Sequence, residues 1–182
     1  MSDAEAVYQP TLFGDPRSHF EEGIGYRGPV ACRAAGITYR QLDYWDRTGL
    51  VSPSIQSASG SGTQRLYSFR DILVLKVVKR LLDTGVSLQQ IRVAVAQLAE
   101  FGVDDLARIT LMSDGASVYE CTSDDEVIDL VRGGQGVFGI AVGRVWQEVE
   151  GSLSTLPSDH VESAAAPIDE LAVRRAAKKR QA

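Results

Sequence analysis

Residues 36–51 read GITYRQLDYWDRTGLV and predict a short helix between two turns. Thr38 is suited to cap this helix, because its hydroxyl can accept a hydrogen bond from a free N–H in the first turn. The apolar positions of this helix are Leu42, Tyr44 and Trp45. Gly49 lies where helices often end in a left-handed residue. We therefore expect a helix over 39–48.

The flanking residues extend this helix into a larger motif. Residues 29–35 are mostly apolar and predict another helix. Pro29 is suited to its first turn, and Gly36 marks its end. A helix, a short turn with glycine and a second helix outline a helix-turn-helix. The next segment, 52–62, has loop composition and precedes a strand-like 64–67, so the two together predict a wing.

Two longer helices are predicted after the wing. Ser68 can cap the first, whose broad apolar stripe ends at Gly85. Ser87, with Gln90 three residues later, resembles a capping box for the second, where apolar residues recur at spacings of three or four. We expect these two helices to form a helical hairpin behind the wing.

The sequence changes character after the hairpin, and 104–156 predict a small α+β unit. Ser113-Asp114-Gly115-Ala116 lies between two strand-like runs and is a strong hairpin signal. The predicted elements are strands over 109–112 and 117–121, a helix over 124–131, a strand over 137–142 and an amphipathic helix over 144–153. Dimerisation or contact with another protein is the expected role of this unit.

Charge is distributed unevenly along the 182 residues, although the net charge is only −5. Residues 27–100 hold ten bases and five acids, whereas 101–160 hold three bases and eleven acids. A basic block on an acidic chain suggests that one part of the protein meets a polyanion. With 44% hydrophobic and 24% charged residues, the composition is that of a folded globular protein.

Both ends of the chain predict disordered tails. Residues 1–25 are poor in aliphatic side chains and show no helical or alternating period. Residues 157–182 predict a flexible basic tail, whose bases are Arg174, Arg175, Lys178, Lys179 and Arg180. A solvated tail is the simpler interpretation of this charge run, and an arm that contacts DNA phosphates is the alternative.

The residue types give little support for a metal or cofactor site, an enzyme or a membrane protein. Cys32, Cys121, His19 and His160 lie far apart in sequence, whereas metal sites use clustered ligands, so we expect no metal and no cofactor. The sequence shows no nucleophile beside a base and no paired acid and base, so an enzyme is not expected. It also has no apolar run of about 18 residues and no basic signal start, which predicts a cytoplasmic protein without membrane contact.

Three motifs in this order resemble the MerR family of transcription regulators, namely 36–51, Arg65-Leu66-Tyr67 and 85–91. The resemblance covers roughly 28–100. It implies a mainly α fold, in which an N-terminal winged helix-turn-helix with a second helical hairpin occupies 26–101. It also implies sequence-specific binding of double-stranded DNA at a two-fold symmetric operator by a homodimer, whose protomers are joined through a long helix after the domain. RNA polymerase is a further candidate partner.

The same resemblance implies DNA contacts from the second helix of the motif. Arg40 falls where family members often place a cation that contacts a base or a phosphate. Asp43 stands where the family usually has arginine, so that contact does not carry over. We expect Asp43 either to accept a hydrogen bond from a cytosine amino group or to orient Arg40 or Arg47. Tyr44 matches a family tyrosine whose hydroxyl reaches a phosphate, whereas Trp45 is expected to anchor the core.

The wing supplies the remaining candidates. Arg65 and Tyr67 match the part of the family's wing that contacts the flanking backbone or minor groove, and simple strand-edge packing is the alternative. The complete set of predicted DNA-binding residues is Thr38, Tyr39, Arg40, Asp43, Tyr44, Arg47, Arg65 and Tyr67.

Two further questions stay open from the sequence. The same fold could serve a protein-interaction or architectural DNA-binding module without promoter control. A metal or drug effector is disfavoured, because Cys121 is the one cysteine beyond the DNA-binding domain and because 104–156 hold few aromatic side chains to line a pocket. A small effector at a dimer interface is compatible with the sequence.

Overall fold

A computed structural model of the protein describes residues 23–58, 63–134 and 138–160. The tails predicted over 1–25 and 157–182 therefore lie largely outside the described residues. The same holds for 59–62, within the predicted wing.

The N-terminal part forms the helices that the sequence predicts, preceded by an additional strand. Its elements are β1 (Ile24–Arg27), α1 (Gly28–Ala35), α2 (Tyr39–Arg47), β2 (Leu66–Tyr67), α3 (Phe69–Asp83) and α4 (Leu88–Leu98). The three predicted N-caps are confirmed, because the side chains of Thr38, Ser68 and Ser87 each accept a hydrogen bond from the first turn of their helix. Gly36, with φ 73°, ends α1 in the left-handed conformation that glycine adopts readily.

The C-terminal part alternates short strands and helices. Its elements are α5 (Val103–Leu106), β3 (Thr110–Ser113), β4 (Val118–Cys121), α6 (Asp124–Arg132), β5 (Phe138–Ala141), α7 (Val142–Leu153) and β6 (Asp159–His160). In the predicted hairpin between β3 and β4, the Asp114 carboxylate accepts hydrogen bonds from the N–H groups of Ser117 at 2.7 Å and Ala116 at 2.9 Å. These backbone hydrogen bonds lower the pKa of Asp114 and fix the turn.

Two three-stranded antiparallel sheets organise the chain. In the first, β3 lies between β4 and β5. In the second, β1 lies between β2 and β6, with Tyr26 opposite Tyr67 and Ile24 opposite His160. The second sheet therefore connects the strand that follows the predicted wing to the strand that follows α7.

The inner boundaries of both predicted tails are wrong. β1 begins at Ile24, inside the predicted tail 1–25, and β6 lies inside the predicted tail 157–182. An ion pair reinforces the pairing of these strands: Arg27 donates from Nε to Asp159 Oδ2 at 2.7 Å and from Nη2 to Asp159 Oδ1 at 3.0 Å. The two partners are so distant in sequence that neither segment carries a local signal of the pairing.

One buried core runs through both predicted units, because α7 packs against α1 and α3. The buried side chains of α7 are Val142, Val145, Val149 and Leu153. The ring centroids of Trp146 and Phe69 lie 4.9 Å apart. The helical domain predicted over 26–101 therefore has part of its apolar surface covered by the unit predicted over 104–156.

Ion pairs border the contact between α7 and α3. Glu148 accepts hydrogen bonds from Arg80 Nη2 at 2.6 and 2.7 Å, and its carboxylate lies 3.5 Å from Lys76 Nζ. Partial burial opposes ionisation, but the hydrogen bond and charge of Arg80 lower the pKa of Glu148 overall. These contacts fix α7 on the basic side of α3.

The long dimerisation helix implied by the resemblance does not follow α4 in the described residues. α4 ends at Leu98 and is followed by α5, which has four residues. The longest helix in the described part of the chain, α3, has 15 residues and lies within the protomer core. None of the described helices is long and apolar enough to cross a membrane.

Candidate nucleic-acid interface

The direction of α2 is fixed at both of its ends. Thr38 Oγ1 accepts a hydrogen bond from the Gln41 N–H at 3.2 Å, and Gln41 Oε1 accepts one from the Thr38 N–H at 2.9 Å. This reciprocal pair is a capping box, so the Thr38 side chain serves the helix itself. At the other end, Arg92 Nη1 of α4 donates to the carbonyl of Thr48 at 3.0 Å.

α2 has a buried face and an exposed face. Leu42 is 0% exposed and Trp45 2%, which confirms Trp45 as a core anchor. At about 100° per residue, the predicted contact residues of α2 share an arc of roughly 140° on the other side. They are Tyr39, Arg40, Asp43, Tyr44 and Arg47. Tyr39 is 59% and Tyr44 45% exposed, so two aromatic rings and the arginines lie open to a ligand.

Asp43 binds two arginines at the edge of this face. Its Oδ2 lies 3.0 Å from Arg47 Nε, one helical turn later, and its Oδ1 accepts a hydrogen bond from Arg65 Nη2 at 3.0 Å. Asp43 is therefore positioned to orient Arg47, one of the alternatives that the sequence left open. Arg40 is exposed and makes no hydrogen bond or ion pair with the described residues, so its guanidinium can meet a ligand.

Arg65 joins the end of the loop 52–65 to α2. Its Nη2 binds Asp43 and its Nε lies 3.0 Å from Asp46 Oδ2. The side chain of Arg65 is 22% exposed, that of Asp43 33% and that of Asp46 18%. Water therefore screens the attraction between these charges less than it screens an ion pair on an open surface. We call Arg65, Asp43 and Asp46 the loop clamp, because they hold the loop against α2.

The loop clamp changes the role expected for Arg65. The sequence predicts a cation that contacts DNA, whereas the structure pairs this guanidinium with two carboxylates of its own protomer. Burial opposes ionisation, but the hydrogen bond to Asp43 and the charge of Asp46 raise the pKa of Arg65. The Arg65 guanidinium is therefore paired with carboxylates on two sides and is not left open as the sequence predicts.

Tyr67 is a core residue, which corrects its prediction as a DNA contact. Its side chain is 0% exposed. Burial, assisted by the charge of Asp46, raises the pKa of Tyr67 to about 12. A ring without exposed surface cannot touch DNA in this conformation, and the strand pairing of Tyr67 with Tyr26 agrees with the packing alternative.

Most of the basic side chains in 27–100 are engaged within the protomer. Three donate to carbonyl groups at or just after helix carboxyl ends, namely Arg70, Lys76 and Arg92. Five pair with acidic side chains, namely Arg27, Arg47, Arg65, Lys79 and Arg80. Eight of the ten basic side chains of this block therefore make a polar contact inside the protein, and six of them contact a carboxylate. Arg33 and Arg40 are exposed and make no hydrogen bond or ion pair with the described residues, and Arg47 is 69% exposed.

A groove separates the start of α2 from the loop. Pro29, Tyr39, Thr63 and Arg65 are among the residues that line it. Gly28 lies under the Tyr39 ring, and a Cβ at that position would come within 3.1 Å of the ring carbon Cε2. The glycine therefore leaves room for Tyr39 to lie where it does.

Sequence reasoning missed Asp46, Arg92 and Gly28 as parts of this site. Asp46 and Arg92 act through partners that are distant in sequence, which no local pattern reveals. Pro29 was identified only as a helix start, and no local pattern indicated that the missing side chain of Gly28 makes room for Tyr39.

The described residues hold no group of three or more His, Cys, Asp or Glu side chains that could bind a metal ion. Cys32 and Cys121 are free thiols, and burial raises the pKa of each. This shift disfavours the reactive thiolate form of both side chains.

Known proteins are similar to this chain both over the helix-turn-helix part and over nearly its full length. Residues 26–98 match the family described as MerR HTH family regulatory protein. The chain is 63% identical over 175 residues to an HTH-type transcriptional regulator of Mycobacterium tuberculosis, an alignment that covers 94% of this chain and 77% of that relative. This similarity includes the C-terminal part as well as the helix-turn-helix.

Two more distant relatives are similar over a shorter length. The HTH-type transcriptional regulator HmrR of Sinorhizobium medicae is 30% identical over 66 residues, which are 36% of this chain and 43% of HmrR. The HTH-type transcriptional repressor CarH of Myxococcus xanthus is 34% identical over 76 residues, which are 41% of this chain and 24% of CarH.

Proposed function

Because this chain belongs to the MerR family of DNA-binding transcriptional regulators, we propose that it reads a specific operator through α2, as a homodimer on a two-fold symmetric site. The observation that carries the proposal is the exposed face of α2. Tyr39, Arg40 and Tyr44 lie open on this face, opposite the two residues that anchor the helix in the core.

The dimensions of α2 suit the major groove. Its nine residues, at about 1.5 Å each, make a helix of about 14 Å, and the groove is about 12 Å wide. The guanidinium of Arg40 can donate two hydrogen bonds to O6 and N7 of a guanine. Arg47, held by Asp43, and the hydroxyl of Tyr44 are suited to the phosphates beside that base.

The loop 52–65 is proposed as the wing that follows the flanking DNA backbone. The loop clamp holds its end against α2, and the bridge between Gln56 and Leu66 closes its root. In this proposal the described parts of the loop, 52–58 and 63–65, face DNA together with α2. Arg65 contributes by fixing that geometry.

The distribution of basic side chains favours sequence-specific reading over an architectural role. Architectural binders that ignore sequence depend on many free cations, since counterion release supplies their affinity. In 27–100 most cations bind carboxylates or carbonyl groups of the same protomer instead. A protein-interaction module without promoter control is the other candidate. The exposed Ile128 and Val131 of α6 favour a protein contact, in addition to DNA binding.

The C-terminal unit is proposed to supply the contact between protomers. α6 has no buried residue, and Ile128 and Val131 on it are 43% and 55% exposed. Two protomers joined in this way would place their α2 helices on two half-sites. RNA polymerase is the further partner proposed for a promoter-bound regulator, and the cytoplasm, with its DNA, is the proposed location. The proposed function involves no catalytic step and no cofactor.

The affinity of Arg40 variants tests the role of α2. An operator is first isolated by selecting duplexes that bind the full chain from a randomised pool. Arg40→Ala should then weaken operator binding by about 1–3 kcal/mol, the scale of one good base contact. Arg108→Ala, at an exposed arginine between α5 and β3, is the matched control and should bind as the parent does. Equal affinities of the Arg40 variant and the parent would contradict the proposal.

A further inference from the structure

We propose that α6 pairs with α6 of a second copy of this chain, antiparallel and about a two-fold axis that passes beside Ile128. The inference rests on the proposed function, in which the C-terminal unit joins two protomers, and it adds the direction, the register and the ion pairs of that contact. The partner is a second copy because the outer face of α6 is complementary to itself. Asp124 lies at one end of this face and Arg132 at the other, with Ile128 midway between them.

α6 presents an uncovered face to solvent. None of its nine residues is buried, and among the described elements it packs mainly on β4. Ile128 and Val131, one helical turn apart, are each about half exposed. Adjacent exposed apolar side chains of this kind are typical of a surface that binds another protein. A second helix laid along α6 would cover both of them.

The helical period brings charged and apolar residues of α6 to the same face. At about 100° per residue, four residues fall within an arc of about 100°. They are Asp124, Ile128, Val131 and Arg132. Asp124 and Arg132 lie four residues before and four residues after Ile128, which is about 6 Å along the axis in each direction. Antiparallel pairing about Ile128 therefore aligns Asp124 of one helix with Arg132 of the other, twice in each contact.

The charges of this face select the antiparallel direction. Asp124 and Arg132 are exposed and make no hydrogen bond or ion pair with the described residues, so both can bind a partner. Parallel pairing would place each of them against its own copy, and like charges repel. Antiparallel pairing brings unlike charges together and sets the two helix dipoles in opposite directions, which also attracts. The favoured arrangement is therefore an isologous two-fold contact, the commonest symmetry of protein dimers.

The small size of the contact predicts a weak dimer in the absence of DNA. Two helices of nine residues bury less than the roughly 1,200–2,000 Å² of a standard interface. An operator with two half-sites would hold two protomers close together, and the high effective concentration would favour the α6 contact there. The contact would in turn fix the distance between the two α2 helices.

Charge-exchange variants of the full chain test the pairing, with sedimentation equilibrium over a range of concentrations as the measurement. In Asp124→Arg, arginines face each other across the contact, and in Arg132→Asp, acids do. Each variant alone should dimerise more weakly than the parent by about tenfold or more, because every substitution acts twice in a two-fold contact. An equal mixture of the two variants should form a heterodimer, and the double variant Asp124→Arg/Arg132→Asp should regain the dimerisation of the parent.

Two apolar positions supply a second perturbation and its control. Ile128→Asp places like charges beside the two-fold axis and should leave monomers at concentrations where the parent is a dimer. Val93→Asp on α4 is the matched control, because Val93 is also about half exposed, and it should dimerise as the parent does. Since all the substituted side chains are exposed, each variant should fold as the parent does, which circular dichroism checks.

Three results would overturn the pairing of α6. The first is a parent that stays monomeric at every concentration, and the second is a dimer that the charge variants and Ile128→Asp leave unchanged. The third is a dimer that the single charge variants weaken but that neither their mixture nor the double variant restores. The proposed function fails separately, if no operator can be selected, because the sedimentation measurements need no DNA.

Discussion

Replacing Arg65 with alanine separates a structural role of this side chain from a DNA-contacting one. The substitution removes both ion pairs of the loop clamp, each 3.0 Å long. Asp46, whose side chain is 18% exposed, is then left without its cation. The contact between the loop 52–65 and α2 should loosen as a result.

The magnitude follows from the exposure of the clamp. A hydrogen bond to a charged group contributes about 1.5–3 kcal/mol, whereas a fully exposed ion pair contributes about 0.2–1 kcal/mol. The clamp side chains are 18–33% exposed and lie between these limits. We therefore expect Arg65→Ala to lower the free energy of unfolding by about 1–3 kcal/mol, or the Tm by roughly 3–10 °C.

Thermal unfolding followed by circular dichroism measures this loss of stability. A double-mutant cycle shows how much of it comes from the contact between Asp46 and Arg65. Asp46→Ala and Arg65→Ala should show a coupling energy of about 1 kcal/mol or more, because the two side chains are in contact. Arg47→Ala is the matched control, since Arg47 also binds Asp43 but is 69% exposed. Its effect on stability should stay below about 1 kcal/mol.

DNA binding supplies the result that would refute this reasoning. An arginine that contacts one phosphate per protomer changes the salt slope of a dimer by about 1.8, from about 0.9 per contact. A positioning residue lowers affinity without that change. If Arg65→Ala left the Tm unaltered and made the slope shallower by this amount, Arg65 would be the wing phosphate contact that the sequence suggests.

Two further predictions concern the contact between α7 and the helical domain. Trp146→Ala removes the ring that packs on Phe69 and should lower the free energy of unfolding by about 2–4 kcal/mol. Because the two parts share one core, the variant should still unfold in a single cooperative transition in urea. Two separate transitions would show that the parts fold independently. Arg80 lowers the pKa of Glu148 in the folded state. The ionised Glu148 therefore stabilises the fold above its unfolded pKa of about 4.3, and this stabilisation is lost as the pH falls through the folded pKa. Glu148→Gln should therefore be less stable than the parent near pH 7. In acid-unfolding measurements the difference should shrink as the pH falls below the unfolded pKa and vanish below the folded pKa; a difference independent of pH would contradict the linkage.

Local signals predicted the elements of this fold well. Thr38, Ser68 and Ser87 were identified as N-caps because a hydroxyl before an apolar period satisfies a free N–H within three residues. The Asp114-Gly115 turn was identified for a similar reason, since aspartate and glycine stabilise tight turns on their own. Such devices act over a few residues, so the sequence contains all the information that they need.

Contacts between distant segments were not predictable in the same way. The basic block of 27–100 suggested a polyanion, but a charge count cannot distinguish a cation that faces DNA from one that binds a carbonyl or a carboxylate of its own chain. Arg27 illustrates this, since its partner Asp159 lies in a segment predicted as a tail. Trp146 was placed on an amphipathic helix, yet nothing local showed that this helix packs on α3.

Tyr67 shows that a role inferred from a residue's position in the family motif can be wrong. The resemblance placed it at the wing, where a polar ring could touch DNA. In the structure β1 pairs with β2 and helps to bury the ring completely. Because β1 lies partly within a segment that gave no periodic signal, the burial of Tyr67 could not be expected from the sequence.

The central claim is that α2 reads a specific, two-fold symmetric operator. A hydroxyl-radical footprint of the full chain on the selected DNA tests it most directly. We predict bounded protection of two symmetric half-sites, separated by about 34 Å or a multiple of it, that is lost with Arg40→Ala and kept with Arg108→Ala. Protection without boundaries, or a footprint that Arg40→Ala leaves intact, would contradict the claim.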